Sequence, residues 1–303
     1  MRLRLLAAAV FLTSPTGSLF AADPELLSLA PPDTQVIAGG NVAQANLTPF
    51  GQYLLAQGQQ QSNAGLEKLL EATGFDPRRD LREFVMAVNG GPGANSAIVL
   101  ARGTFNVSRI VEAAVADGQT VETYKGVPIV QWNVQQKGAI AFPDATLTIA
   151  GDPASVRAAI DRRSAPTAIS SALAVAVNQA STTEDAWFVS MAPPPQMDMV
   201  AADTFAPLRK ILQASGGVKF GASVVVTLKA VSQTPQDASA LAEMLKSLAG
   251  MAQMGAPSTG PAANAVALLQ NLKVSADGTT TSVSLSIPEQ QVEELMKAGA
   301  AGK

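Results

Sequence analysis

The chain has 303 residues, 15% of them charged and 47% hydrophobic, with a net charge of −3 and a pI near 5.1. That is well below the roughly 25% charge of an average soluble domain, so a core is available and neither a disordered nor a collagen-like chain fits. The acidic balance argues against a nucleic-acid or anionic-membrane partner. The chain has no Cys and no His. This removes disulfides, thiolate nucleophiles, Fe–S clusters, most zinc sites and every Ser-His-Asp or Cys-His machine.

Arg2 and Arg4 form a short positive region, Leu5 to Leu12 an apolar run, and Ser18 to Ala22 a small-residue end. This is the order of a secretory signal peptide over 1–22. The run is too short for a bilayer, which takes about 20 residues. Cleavage is expected after Ala21 or Ala22. The mature chain would then start near Asp23, in the periplasm or outside a bacterial cell, with no integral membrane span. The triplets at Asn46 and Asn106 match the glycosylation sequon but arise easily by chance.

A strand is expected over 35–42, closing near Gly39-Gly40. A helical region follows over 47–73, interrupted at 57–62, with Leu66, Leu69, Leu70 and Thr73 on one face and Gly74 as its stop. Asp76-Pro77 reads as an N-cap with Pro at the first helical position. Strands follow at 83–89 and 96–102. The intervening Gly90-Gly91-Pro92-Gly93 has neither a following helix nor Gly-Lys-Ser/Thr, so it is a hairpin loop rather than a phosphate loop. Val107, Ile110, Val111, Ala114 and Val115 make an amphipathic helix over 106–117, capped by Asn106 and ended by Gly118. Strands are expected at 120–124, 127–134, 138–142 and 146–150, with Lys125-Gly126 as a hairpin turn. Asp152-Pro153 opens a helix with Val156, Ala159 and Ile160 inward, and a second helix covers 169–180.

The second part opens with a strand over 186–191, then Pro193-Pro194-Pro195, then a helix over 205–215. Residues 219–230 alternate: Phe220, Ala222, Val224, Val226, Leu228 and Ala230 lie on one face of a half-buried strand. Thr234-Pro235 caps a helix whose face is Leu241, Met244, Leu245 and Leu248. A loop over 255–261, a short helix over 265–272, strands at 273–275 and 281–287 around Asp277-Gly278, and a last helix from Pro288 complete the chain. Trp132 and Trp187 lie in expected strands, where core packing is the ordinary role.

Two segments match: LEKLLEATG at 66–74 and LRKILQASG at 208–216. With strands and capped helices following each, they point to duplication of one α+β unit. The fold class is therefore α+β, in two related halves at 23–165 and 166–303. Each half is a mainly antiparallel sheet with helices packed on one face. On this reading Gly74 and Gly216 end equivalent helices.

Several features together resemble a group of secreted bacterial proteins catalogued only as a domain of unknown function. These are Pro32-Asp33-Thr34 before the first strand, ATLTIAGDPASVRAAID at 145–161, SALAVAV at 171–177 and DAWFVSM at 185–191. The resemblance implies two related α+β halves behind an N-terminal signal or anchor, and no reaction.

Three functions are compatible with these residues. The acidic residues Asp76, Asp80, Glu122, Asp144, Asp152 and Asp161 could serve a carboxylate-only hydrolase, but two Trp and two Tyr offer little platform for a sugar. Met197, Met199, Met251 and Met254 could offer thioethers to Cu(I), although methionine more often fills soft cores. The reading favoured by the sequence is a non-catalytic binding or interaction module that takes an apolar ligand or an envelope protein. No catalytic, cofactor-binding or metal-ligating residue is assigned, and no cofactor is expected.

Overall fold

The computed structural model describes residues 21–60, 71–89, 97–132, 138–191, 203–255, 261–292 and 294. Residues 1–20 of the expected signal at 1–22, Leu66, Leu69, Leu70, Gly90-Gly91-Pro92-Gly93, Pro193-Pro194-Pro195, Met197 and Met199 lie outside the described residues.

Twelve strands form one sheet in the order β11-β12-β10-β9-β8-β1-β2-β3-β7-β6-β5-β4, and every neighbouring pair is antiparallel. The strands are β1 (Thr34–Asn41), β2 (Leu81–Asn89), β3 (Ala97–Gly103), β4 (Thr120–Tyr124), β5 (Val127–Trp132), β6 (Gly138–Asp144) and β7 (Leu147–Gly151) in the first arm. The second arm holds β8 (Ala186–Ser190), β9 (Ile211–Lys219), β10 (Ser223–Ser232), β11 (Leu272–Asp277) and β12 (Thr280–Pro288). With its helices, the chain is α+β.

The arms share one connectivity. In each, three consecutive strands run outward from the centre (β1-β2-β3 and β8-β9-β10). A helix follows (Val107–Ala116 and Pro235–Met254), and the last strand returns beside the third (β7 on β3, β12 on β10). The first arm adds β4 and β5 at its edge. Pairing of β1 with β8 joins the arms into one sheet.

The nine-residue match does not mark this correspondence. Glu71–Thr73 is helical and Gly74 has φ +67°, but Ile211–Lys219 is strand β9 and Gly216 sits inside it. The helix expected over 205–215 is instead a 3₁₀ segment, Asp203–Lys210, containing Pro207. Pro207 breaks the α ladder. Beyond it Ile211 is 7% exposed and Leu212 47%, the alternation of a strand rather than a shared helical face. A Cβ on Gly216 would lie 2.4 Å from the Thr227 carbonyl oxygen, so close pairing with β10 requires glycine there. Phe220 to Ala222 is the turn between β9 and β10, not part of one long strand. Gly39 and Gly40 lie inside β1 rather than at its end.

The caps expected at Asn106, Asp152 and Thr234 each start the helix that follows, and Ser170, which the sequence did not single out, caps a fourth. Lys125-Gly126 turns with φ +49° and +80°, and Gly118 and Gly278 also take positive φ. Asp152 Oδ1 accepts from the Ala154 and Ser155 amides, each at 3.0 Å. Asp152→Ala should therefore cost about 1 kcal/mol of unfolding free energy in urea melts, and Asp152→Asn much less.

The core lies on one face of the first arm and of the adjoining β8. Leu26, Leu29, Val156, Ile160, Leu173 and Val177 from three helices cover Ile37, Val85, Ile98, Leu100, Ile129, Ile149, Trp187 and Val189. Helices stand on both faces, not one. The helix Val107–Ala116 sets Ile110 against Phe105 and Phe142 on the opposite face, with Ile140 beside them. The helix Pro235–Met254 sets Leu241 and Met244 against Ile211, Ala214 and Ala230. The first of these alternates with the buried Ala139 and Ala141, the second with the polar Gln213 and Ser215.

Candidate binding face

Directly paired residues share a face of a sheet, so the register gives the composition of each face. One row crosses eight strands: Val99 (β3), Met86 (β2), Ala38 (β1), Phe188 (β8), Gly216 (β9), Leu228 (β10), Val283 (β12) and Val274 (β11). The row beside it runs Ala101, Phe84, Gly40, Ala186, Val218, Val226, Leu285 and Leu272. Neither row contains a polar side chain. At about 4.8 Å between strands the floor is about 34 Å wide.

This floor is not ordinary core. Met86 and Val99 are each 38% exposed and Leu228 is 46% exposed, while Ala38, Phe188, Val274 and Val283 are half-buried. The opposite face of the same strands differs by arm. Its first-arm residues, such as Leu100 and Val85, are buried under helices, and so is Trp187 on β8. Its second-arm residues are Gly217, Thr227, Ser284 and Lys273 in register. Beyond β8, the second arm therefore keeps one polar face and one apolar face, as an antiparallel sheet does. The apolar face continues into the first arm on the side away from the main core.

The alternation of Val224, Val226, Leu228 and Ala230, and of Val283, Leu285 and Ile287 with serines, was legible in the sequence. Met86 and Val99 lie in continuous apolar runs, EFVMAVN and AIVLAR, whose two faces composition cannot separate.

The six acidic candidates are engaged elsewhere. Asp76 and Asp152 are helix caps. Hydrogen bonding from Arg78 holds Asp76 below the usual carboxylate range, and hydrogen bonding from Arg79 does so for Asp80. Glu122 accepts from Arg157 at 2.7 and 3.0 Å. At Asp144 partial burial pushes the carboxyl up, but bonds from Thr146 and the charge of Arg163 outweigh it and the net direction is down. Lys125, at 2.6 Å, lowers Asp161. A general acid needs a raised value, so the four resolved shifts run the wrong way for that role. Met251 and Met254 are 49% and 82% exposed near the end of the helix Pro235–Met254. Among the described residues no group of three or more Asp or Glu could hold a metal ion. Nor is any described helix long and apolar enough to cross a membrane.

Fold and face together define an α+β protein with a single open antiparallel sheet, cored on one side of its first arm and carrying an apolar floor across the other side. No family model and no curated protein matches the chain. Among solved structures it is similar to TP0453. Crystal form I matches with a TM-score of 0.51 at 8% identity, and crystal form III with 0.52 at 7%; each covers 91% of this chain and 98% of that one. At such identity the likeness is one of fold.

Proposed function

We propose that this is an exported, non-catalytic binding module that takes an elongated apolar ligand on the exposed sheet face. The observation that carries the reading is the row Val99–Met86–Ala38–Phe188–Gly216–Leu228–Val283–Val274. Two adjacent rows without polar side chains offer apolar area to bury and no directional contacts, which suits a ligand without directional polar groups along its length. The absence of His and Cys supports a non-catalytic role. The order of Arg2, Arg4, Leu5 to Leu12 and Ala21-Ala22 supports export. So does the resemblance to secreted bacterial proteins of unknown function.

Equilibrium dialysis against labelled palmitate tests the binding. Met86→Glu and Leu228→Glu should each weaken it at least tenfold, which is about 1.4 kcal/mol. Val115→Glu, at a 57% exposed position on the helix Val107–Ala116, should leave it unchanged. Urea unfolding of each variant checks that the fold is kept. Uptake that is absent, or indifferent to both floor substitutions, would defeat the proposal.

A further inference from the structure

We infer that hydrolysis of the Ala22–Asp23 bond by a signal peptidase installs a half-buried ion pair between the new α-ammonium of Asp23 and the carboxylate of Glu83. The inference rests on the export reading above. Water adds across the bond: the leader leaves with the Ala22 carboxylate, and Asp23 keeps a nitrogen that is protonated at neutral pH.

The partner is already in place. The Asp23 nitrogen lies 3.0 Å from Glu83 Oε1. Asp23 is held there by other bonds: its Oδ1 accepts from the Glu25 amide at 2.7 Å, capping the helix Pro24–Leu29, and its Oδ2 meets Arg102 Nε at 2.7 Å. The cut therefore changes the charge on an atom whose position other bonds fix. Glu83 is half-buried, and burial pushes its carboxyl up against the amide bond that lowers it. An ammonium at that atom is a stronger partner than an amide.

The surrounding charges leave room for a cation. Asp23 and Glu25 come from the first helix segment, Glu83 from β2 and Asp144 from β6. Among the described residues their cationic partners are Arg102 from β3 and Arg163 from the helix Pro153–Ser164. Four carboxylates meet two guanidinium groups, and the cut supplies a third cation. The cut also removes Ala22, which is 5% exposed and part of the core. The ion pair has to outweigh that loss.

The sign of the pH dependence follows from linkage. An α-amino group whose folded value is raised above its ordinary range contributes stability that is complete below that range. The contribution is lost as pH rises through the folded value. Three chains ending at residue 303, released from a cleavable fusion, test this: one beginning at Asp23, one at Ala22, and one at Asp23 carrying Glu83→Gln. Thermal midpoints are followed from about pH 6 to pH 10, across the amino-group range. The Asp23 chain should lose more stability over that interval than either of the other two. Equal profiles for the Asp23 chain and its Glu83→Gln variant would overturn the ion pair, and so would an equal loss in the Ala22 chain. N-terminal sequencing of the protein from its native cells reads the cut separately. Asp23 as first residue supports the assigned bond, another exported start overturns that assignment, and an intact Met1 in the cytosol defeats export itself.

Discussion

Leu100→Ala should lower the unfolding free energy by about 2–5 kcal/mol, the range for deleting a buried leucine side chain. Leu100 is fully buried at the centre of β3, in register with Val85, Gly39 and Trp187, and it belongs to the cluster roofed by Leu26, Leu29 and Leu173. Helices above and a pleated sheet below leave little freedom to collapse into the space, so the upper half of the range is expected. The adjacent Val99 points to the other face and is 38% exposed, so Val99→Ala should cost well under about 1.5 kcal/mol, the cost of burying a whole valine side chain. Urea unfolding of the two variants measures the difference between the faces. Equal costs would mean that the floor is as closed as the core, and the binding proposal would fail with that result.

The same pair of residues shows how far the sequence could be read. Signals held within a few residues were legible: Asn106 and Gly118 bounding a helix, Asp152-Pro153 starting one, Lys125-Gly126 and Asp277-Gly278 turning hairpins. Their chemistry is local, a side-chain oxygen meeting a nearby amide or a backbone needing positive φ. The α+β class followed from the order of such elements. What escaped depends on partners distant in sequence. LRKILQASG has a helical spacing of apolar residues, yet Pro207 and the pairing of Gly216 with Leu228 make its second half a strand. Tertiary pairing decided against local preference there, as it often does for short segments. The nine-residue match was consequently read in the wrong register: by connectivity β9 answers to β2, not to the helix ending at Gly74. The strands expected at 120–124 and 127–134, by contrast, are β4 and β5 at the sheet edge. The floor itself was half legible, because β10 and β12 alternate while β2 and β3 do not. The Glu83–Asp23 contact joins residues 60 positions apart and left no pattern in the sequence.

The seam between the arms carries the second large effect. Gly39 pairs with Val85 on one side and Trp187 on the other, within the β1–β8 ladder that makes one sheet of the two arms. A Cβ there would lie 2.6 Å from Trp187 Cζ2 and 2.9 Å from the Phe84 carbonyl oxygen. The first contact can be relieved only by moving an indole that is 6% exposed in the core, and the second is backbone. Gly39→Ala should therefore cost about 1–3 kcal/mol through overpacking, and Gly39→Val more. Gly118 gives the contrast. A Cβ there meets nothing within 4 Å, but φ is +79°, so Gly118→Ala carries only the strain of a left-handed residue, roughly 1–2 kcal/mol. The two mechanisms separate in a double-mutant cycle. Trp187→Phe removes the ring edge that Gly39→Ala strikes, so the pair should cost less than the sum of the single changes by at least about 0.5 kcal/mol. The same Trp187→Phe change should be additive with Gly118→Ala, whose strain is local. Strict additivity at Gly39 would place the clash on the Phe84 carbonyl alone and remove the indole from the account of the seam.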